Sequence, residues 1–214
     1  MHQRMNFVTI WNAGWVANLC GRMQRAGVSV CSAGRGGIVW HTQGSGKSLT
    51  MVWLTKWIRE HCADARVLII TDRSELDEQI EKVFKGVNED IHRTKSGADL
   101  IARLNDTTPW LLCSLIHKFG TREDTDVEDF VAELRKSLPP DFRAKGDLYV
   151  FVDECHRTQS GELHKAMKAI LPNAVFIGFT GTPLLKADKQ KSIEVFGRYI
   201  HTYKFNEAVA DGVV

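Results

Sequence analysis

Short, unbroken apolar runs alternate along this 214-residue chain with longer stretches in which apolar residues recur at helical spacing. The runs are GIVW (Gly37–Trp40), RVLIIT (Arg66–Thr71), WLLCS (Trp110–Ser114), LYVFV (Leu148–Val152) and AVFIGF (Ala174–Phe179), with YIHTYKF (Tyr199–Phe205) a sixth candidate. They are continuously apolar rather than alternating, which predicts strands covered by helices on both faces and so a mostly parallel sheet. Between them, Ser48 to about His61 places Met51, Leu54, Trp57 and Ile58 at helical spacing. Ser74–Val87 and Ser96–Asn105 each open on a serine followed three positions later by an aspartate (Asp77, Asp99), close to a capping box. Val127–Leu138 is a fourth helix, stopped by Pro139 and Pro140.

Two regions break the rhythm. The stretch from Thr121 to Asp147 swings from acidic (REDTDVED) to basic (RAK) and is expected to be a solvated insertion. Residues 1–34 form an N-terminal segment of uncertain role, ahead of an α/β domain over residues 35–214. FVTIWNAGWVANLC has a faint signal-peptide character, but Asn12, Gly14 and Asn18 interrupt it and no small-x-small cleavage site follows.

Composition narrows the class. With 43% hydrophobic and 25% charged residues, the chain reads as an ordinary globular protein. Its net charge of +2, from 28 Lys+Arg against 26 Asp+Glu, argues that any nucleic-acid contact is local. Cys20, Cys31, Cys62, Cys113 and Cys155 are odd in number and lack zinc-site spacing, so reduced thiols and a cytoplasmic location are expected. No apolar run reaches the ~18 residues of a membrane span.

The chemistry gathers at the ends of the predicted strands. HTQGSGKS (His41–Ser48) lies between a strand and a helix and fits G-x-x-x-x-G-K-[ST] except that His41 stands in place of the first glycine. Gly44 and Gly46 let the backbone curl so that amides from Gln43 to Ser48, Ser45 included, point at phosphates; Lys47 reaches the β/γ-phosphates and Ser48 ligates Mg²⁺. The steric demand falls on Gly44 and Gly46, so the first glycine is dispensable. LYVFVDECHR ends a buried strand in adjacent carboxylates, where Asp153 is the candidate Mg²⁺ ligand and Glu154 the group that polarises the attacking water. AVFIGF ends in Thr180-Gly181-Thr182-Pro183, whose hydroxyls sit at the same sheet edge. Parallel sheets place ligands at the carboxyl ends of their strands, and all three motifs obey that rule.

Phosphate loop, D-E-x-H and T-G-T-P in this order resemble motifs I, II and III of a superfamily 2 (DExH) helicase-like motor. The wording of GGIVWHTQGSGKSLTM, ITDRSELDEQI, FVDECHRTQSG, FIGFTGTPL and VFGRYIHTYKFNEAVADGVV is closer still to the R (motor and restriction) subunit of type I restriction–modification enzymes. The resemblance runs from about Gly34 to Val214. It implies a RecA-like P-loop NTPase domain, the first motor lobe of an ATP-dependent double-stranded DNA translocase. It also implies ATP and Mg²⁺ as cofactors, with His156, Thr180 and Thr182 coupling nucleotide state to DNA grip. Asp72 and Arg73 of the T-D-R segment, and Lys118 of CSLIHKFG, become DNA-backbone candidates, and methylation and specificity subunits become partners.

Such motors divide their ATP site between two lobes, and only the first is expected here. The second lobe's arginine-rich motif and the nuclease domain are not recognisable, and Gln3 and Gln24 are both candidates for an adenine-reading glutamine. An arginine finger is worth ~10³–10⁵ in phosphoryl-transfer rate, so the chain alone is expected to bind ATP and hydrolyse it very slowly. DNA contact is expected to be salt-sensitive and indifferent to sequence. Two alternatives stay open at this stage: another DExH helicase lobe, and a truncated non-catalytic nucleotide-binding or interaction module.

Overall fold

A computed structural model describes residues 36–71, 74–115, 126–155, 160–182 and 192–214. The strands are β1 (Gly37–His41), β2 (Ala65–Thr71), β3 (His92–Arg93), β4 (Leu111–Leu115), β5 (Asp147–Val152), β6 (Val175–Thr180) and β7 (Tyr199–Tyr203). The principal helices are α1 (Lys47–His61), α2 (Ser74–Lys85), α3 (Gly97–Leu104), α4 (Asp126–Ser137), α5 (Ser160–Ile170) and α6 (Phe205–Ala210). One sheet contains all seven strands, in the order β3-β4-β2-β5-β6-β1-β7, and every pairing is parallel.

Side chains alternate across a strand, so each continuous apolar run feeds two cores at once. Val39, Val67, Ile69, Tyr149, Phe151, Ile177 and Phe179 pack with Met51, Leu54 and Ile58 of α1 and with Ile80 and Phe84 of α2. Their neighbours Ile38, Leu68, Ile70, Val150, Val152 and Phe176 face the other way, onto Leu100 and Leu104 of α3, Leu134 of α4, and Leu163 and Met167 of α5. The expected parallel sheet with helices on both faces is therefore what the chain builds.

Arg66, buried at the start of β2, donates to the carbonyls of Arg103, Leu104, Asp106, Pro109 and Lys145. The last carbonyls of a helix lack intrahelical partners. Arg66 thus closes the end of α3 and ties together the loops that enter β4 and β5, beneath the edge opposite the motifs.

The five clearest strand predictions shift by no more than one residue at either end, whereas Tyr199–Phe205 stops at Tyr203 because α6 begins. The Ser96 hydroxyl accepts from the Asp99 amide at 3.1 Å, the cap its sequence suggested. The stretch from Thr121 to Asp147 is more than a solvated insertion, since α4 lies within it and buries Leu134. Cys62, Cys113 and Cys155 are buried, while Cys20 and Cys31 lie outside the described residues. No helix among the described residues is long and apolar enough to cross a membrane.

Candidate functional site

Strand β1 delivers the phosphate-loop sequence to the carboxyl edge of the sheet. Gly44 and Gly46 adopt φ of 79° and 83°, left-handed values that cost glycine nothing. Ser45 Oγ donates to the Thr42 carbonyl at 2.6 Å, and the Thr50 amide reaches the Gly46 carbonyl at 3.0 Å as α1 begins. The first amides of a helix have no intrahelical acceptor and carry the positive end of its dipole. At the head of α1 these include Lys47 and Ser48, and the half-buried Ser48 side chain stands in the first turn. Gln43 and Gly44 are exposed at the tip of the loop.

Across the edge, β5 ends in Asp153 and Glu154. Lys47 Nζ lies 2.6 Å from Glu154 Oε1 and 3.0 Å from Asp153 Oδ1. Both Asp153 oxygens are fully buried without a well-directed hydrogen bond, so the contact with Lys47 is an ion pair off the hydrogen-bonding direction. Burial disfavours the Lys47 charge, but Asp153 and Glu154 outweigh it and hold the ammonium above its usual range. One ammonium between two carboxylates leaves negative charge over. Burial, with the neighbouring Glu154 charge adding to it, pushes the Asp153 carboxyl up against the pull of Lys47. A buried carboxylate beside a phosphate loop fits a divalent cation, whose preferred ligands are oxygens.

Local backbone geometry sets that turn. Glu154 has a left-handed φ of 48°, a conformation that costs a non-glycine residue about 1–3 kcal/mol. The Asp153 amide bonds to Ile70 O at 3.0 Å and the Cys155 amide to Phe179 O at 2.9 Å, pinning the turn between β2 and β6. Cys155 then packs on Gly178, where an added Cβ would stand 2.7 Å from its Sγ.

Strand β6 lies between β5 and β1, so its end separates the acidic turn from the loop. Thr180 is buried, and its hydroxyl accepts from the Thr182 amide at 3.2 Å, while Thr182 itself is exposed. A Cβ at Gly181 would lie 3.2 Å from Gln43 Cγ, which puts this turn directly against the loop.

Lys47, Asp153 and Glu154 are thus brought into contact, with Thr180 and Gly181 beside the loop. His156, Asp72, Arg73 and Lys118 lie outside the described residues, as do Gln3 and Gln24. Sequence reasoning missed the partners of His41. That imidazole is 2% exposed, with Nε2 3.3 Å from His201 Nδ1 and its ring 5.8 Å from that of Tyr203. Burial, then His201 and Lys47, push its pKa down to about 3, so it is neutral. Parallel pairing of β1 with β7 brings these residues together, and the only signal of it was the weak apolar run at Tyr199.

Comparison with known proteins agrees with this geometry. The pattern of the SWI2/SNF2 ATPase family matches residues 15–214. A type I restriction enzyme endonuclease subunit of Staphylococcus saprophyticus is 32% identical over 184 residues, covering 83% of this chain and 19% of that protein. The endonuclease subunit of the type I restriction enzyme HindI of Haemophilus influenzae is 33% identical over 196 residues, 82% of this chain and 17% of its own length. The chain therefore spans about a fifth of the length of these curated relatives.

Among solved structures, a nuclease-deletion mutant of the Type ISP restriction-modification enzyme LlaGI, in complex with a DNA substrate mimic, shares the fold. Its TM-score is 0.63 at 13% identity, covering 95% of this chain and 20% of that one. The helicase domain of Pyrococcus furiosus Hef gives 0.53 at 17% identity, over 79% and 35%. On a RecA-like parallel sheet that sets a phosphate-loop lysine against an Asp-Glu turn, and with a family pattern spanning nearly its whole length, the chain belongs to the SWI2/SNF2 ATPase family.

Proposed function

We propose that residues 35–214 are the first, ATP-binding motor lobe of an ATP-dependent double-stranded DNA translocase of the type I restriction kind. The observation that carries this is the convergence of Lys47 on Asp153 and Glu154 at the carboxyl edge of the sheet. The loop amides from Gln43 to Ser48, Gly44, Ser45 and Gly46 among them, cradle the phosphates, and Lys47 leaves the carboxylates to meet the β/γ-phosphates. Ser48 and Asp153 hold Mg²⁺, which neutralises phosphate charge when bound. Glu154, freed of Lys47, orients the attacking water and accepts its proton.

Thr180 and Thr182, and His156 beyond the acidic turn, couple this site to DNA grip. The contact between Gly181 and Gln43 gives that coupling a route. Asp72, Arg73 and Lys118 are the proposed backbone-phosphate contacts, and methylation and specificity subunits are the proposed partners, by likeness to restriction-enzyme relatives. Without a second lobe's arginine, worth ~10³–10⁵ in rate, hydrolysis by this chain alone is very slow.

Titrating the 214-residue chain with a fluorescent ATP analogue and Mg²⁺ tests the site. Lys47→Ala removes a charge-assisted contact worth about 1.5–3 kcal/mol and weakens binding roughly ten- to hundredfold. Equal affinity in a folded Lys47→Ala variant refutes the phosphate-loop assignment. Fast, DNA-stimulated turnover by the chain alone refutes the half-site.

A further inference from the structure

The phosphate loop is held from outside by a segment to which no role has been given. Strand β7 pairs with β1 up to His41↔Tyr203, and the Thr42 amide, first of the loop, donates to Tyr203 O at 3.0 Å. His41 meets His201 through its ring nitrogen at 3.3 Å. Beyond β7 the chain turns back through α6, and the hydroxyl of Tyr203 donates to Asp211 Oδ2 at 2.7 Å, closing strand and helix into a strap. The end of the strap reaches the loop tip, because a Cβ at Gly44 would stand 3.3 Å from Val214 Cγ1. The entry of the loop is therefore braced by His201 and Tyr203, and the end of the strap lies beside its tip.

A loop of glycines and small residues has many conformations when free, and ordering it costs affinity unless the order is built in beforehand. We infer that His201, Tyr203 and Asp211 are positioning residues for the phosphate loop, fixing through His41, Thr42 and Gly44 the curvature that receives the polyphosphate. This rests on the nucleotide-site reading above. Because the brace acts on the loop, its loss penalises every ligand that the loop grips, with or without a base.

The test measures binding of a fluorescent ATP analogue to the 214-residue chain, and its displacement by inorganic pyrophosphate, for wild type, Tyr203→Phe, Asp211→Ala and Asp211→Asn. Tyr203→Phe and Asp211→Ala should weaken both ligands by a similar factor, more than twofold and up to about thirtyfold, the scale at which residues act through a packed network. Asp211→Asn keeps an acceptor for the Tyr203 hydroxyl and should restore most of the affinity, a rescue that bulk stability alone does not produce. If Tyr203→Phe does not fold, the Asp211 pair carries the comparison. Folded variants that bind both ligands within about twofold of a wild type that binds well overturn the inference, at a margin below the usual network effect. Absence of ATP binding by wild type instead overturns the nucleotide-site reading, and this inference with it.

Discussion

Glu154→Gln should bind ATP more tightly than wild type. In the described state Glu154 Oε1 holds the Lys47 ammonium at 2.6 Å, and the two side chains are only 12% and 14% exposed, so solvent screens the pair weakly. Before Lys47 meets a phosphate, that bond must be given up. A hydrogen bond to a charged group is worth about 1.5–3 kcal/mol and a neutral one about 0.5–1.5. Replacing carboxylate by amide therefore lowers the cost of releasing Lys47 by roughly 1 kcal/mol, or about fivefold in Kd. Loss of one negative charge facing the γ-phosphate acts in the same direction. Asp153 is untouched, so the proposed cation ligand survives the change.

Fluorescent-nucleotide titration of wild type and Glu154→Gln at fixed Mg²⁺, with phosphate release measured beside it, reads both halves of the expectation. Affinity rises while hydrolysis falls below the wild-type rate, because the water loses its base. An affinity equal to or weaker than wild type, in a variant of unchanged thermal stability, refutes the idea that Glu154 competes with phosphate for Lys47.

Two further outcomes follow from local geometry. Gly178→Ala drives a Cβ to 2.7 Å from Cys155 Sγ, so the Asp153-Glu154 turn must lift. A loss of about 1–3 kcal/mol in urea unfolding is expected, together with weaker ATP binding, and adding Cys155→Ala should recover part of both; a variant as stable as wild type refutes the packing claim. His41 titrates near 6.5 unfolded but about 3 folded, so its stabilisation is intact above pH 6.5 and drains away as pH falls toward 3. The loss approaches 1.4 kcal/mol per pH unit, or about 2 kcal/mol at pH 5. Urea unfolding of wild type and His41→Asn at pH 7.5 and pH 5 should show that excess loss in wild type only, and parallel pH dependence refutes it.

The strands that carry chemistry were legible because each is buried on both faces, so β1, β2, β4, β5 and β6 write themselves as unbroken apolar runs. β3 was not: at two half-buried residues on the edge of the sheet, His92 and Arg93 carry no apolar signature. Helix α5 was missed for another reason. Its opening SGELHK is polar, and the side chains that bury it, Leu163 and Met167, are too few to set a period in so short a stretch. Helix α6 follows β7 after a single residue, and its apolar Phe205 and Val209 are exposed, so the sequence reads as a strand running on. The carboxylates and the loop lysine were legible as types at strand ends, but their contact was not. It depends on β6 lying between β5 and β1, a sheet order that no local pattern encodes.

His41 carries this furthest. Against a motif that begins with glycine, a histidine looks like a defect, and local reasoning goes only as far as calling the first glycine dispensable. The structure supplies a positive reason for the imidazole. Gly44 and Gly46 carry the left-handed backbone that brings amides to phosphate, whereas His41 is still strand, paired with Tyr203 and packed on His201. A glycine there would empty a buried site between β1 and β7 and remove the side-chain contact by which the strap grips the loop. What fixes the residue at this position lies 160 positions away in the chain. His41→Gly would complete the written motif and loosen the loop that the motif describes.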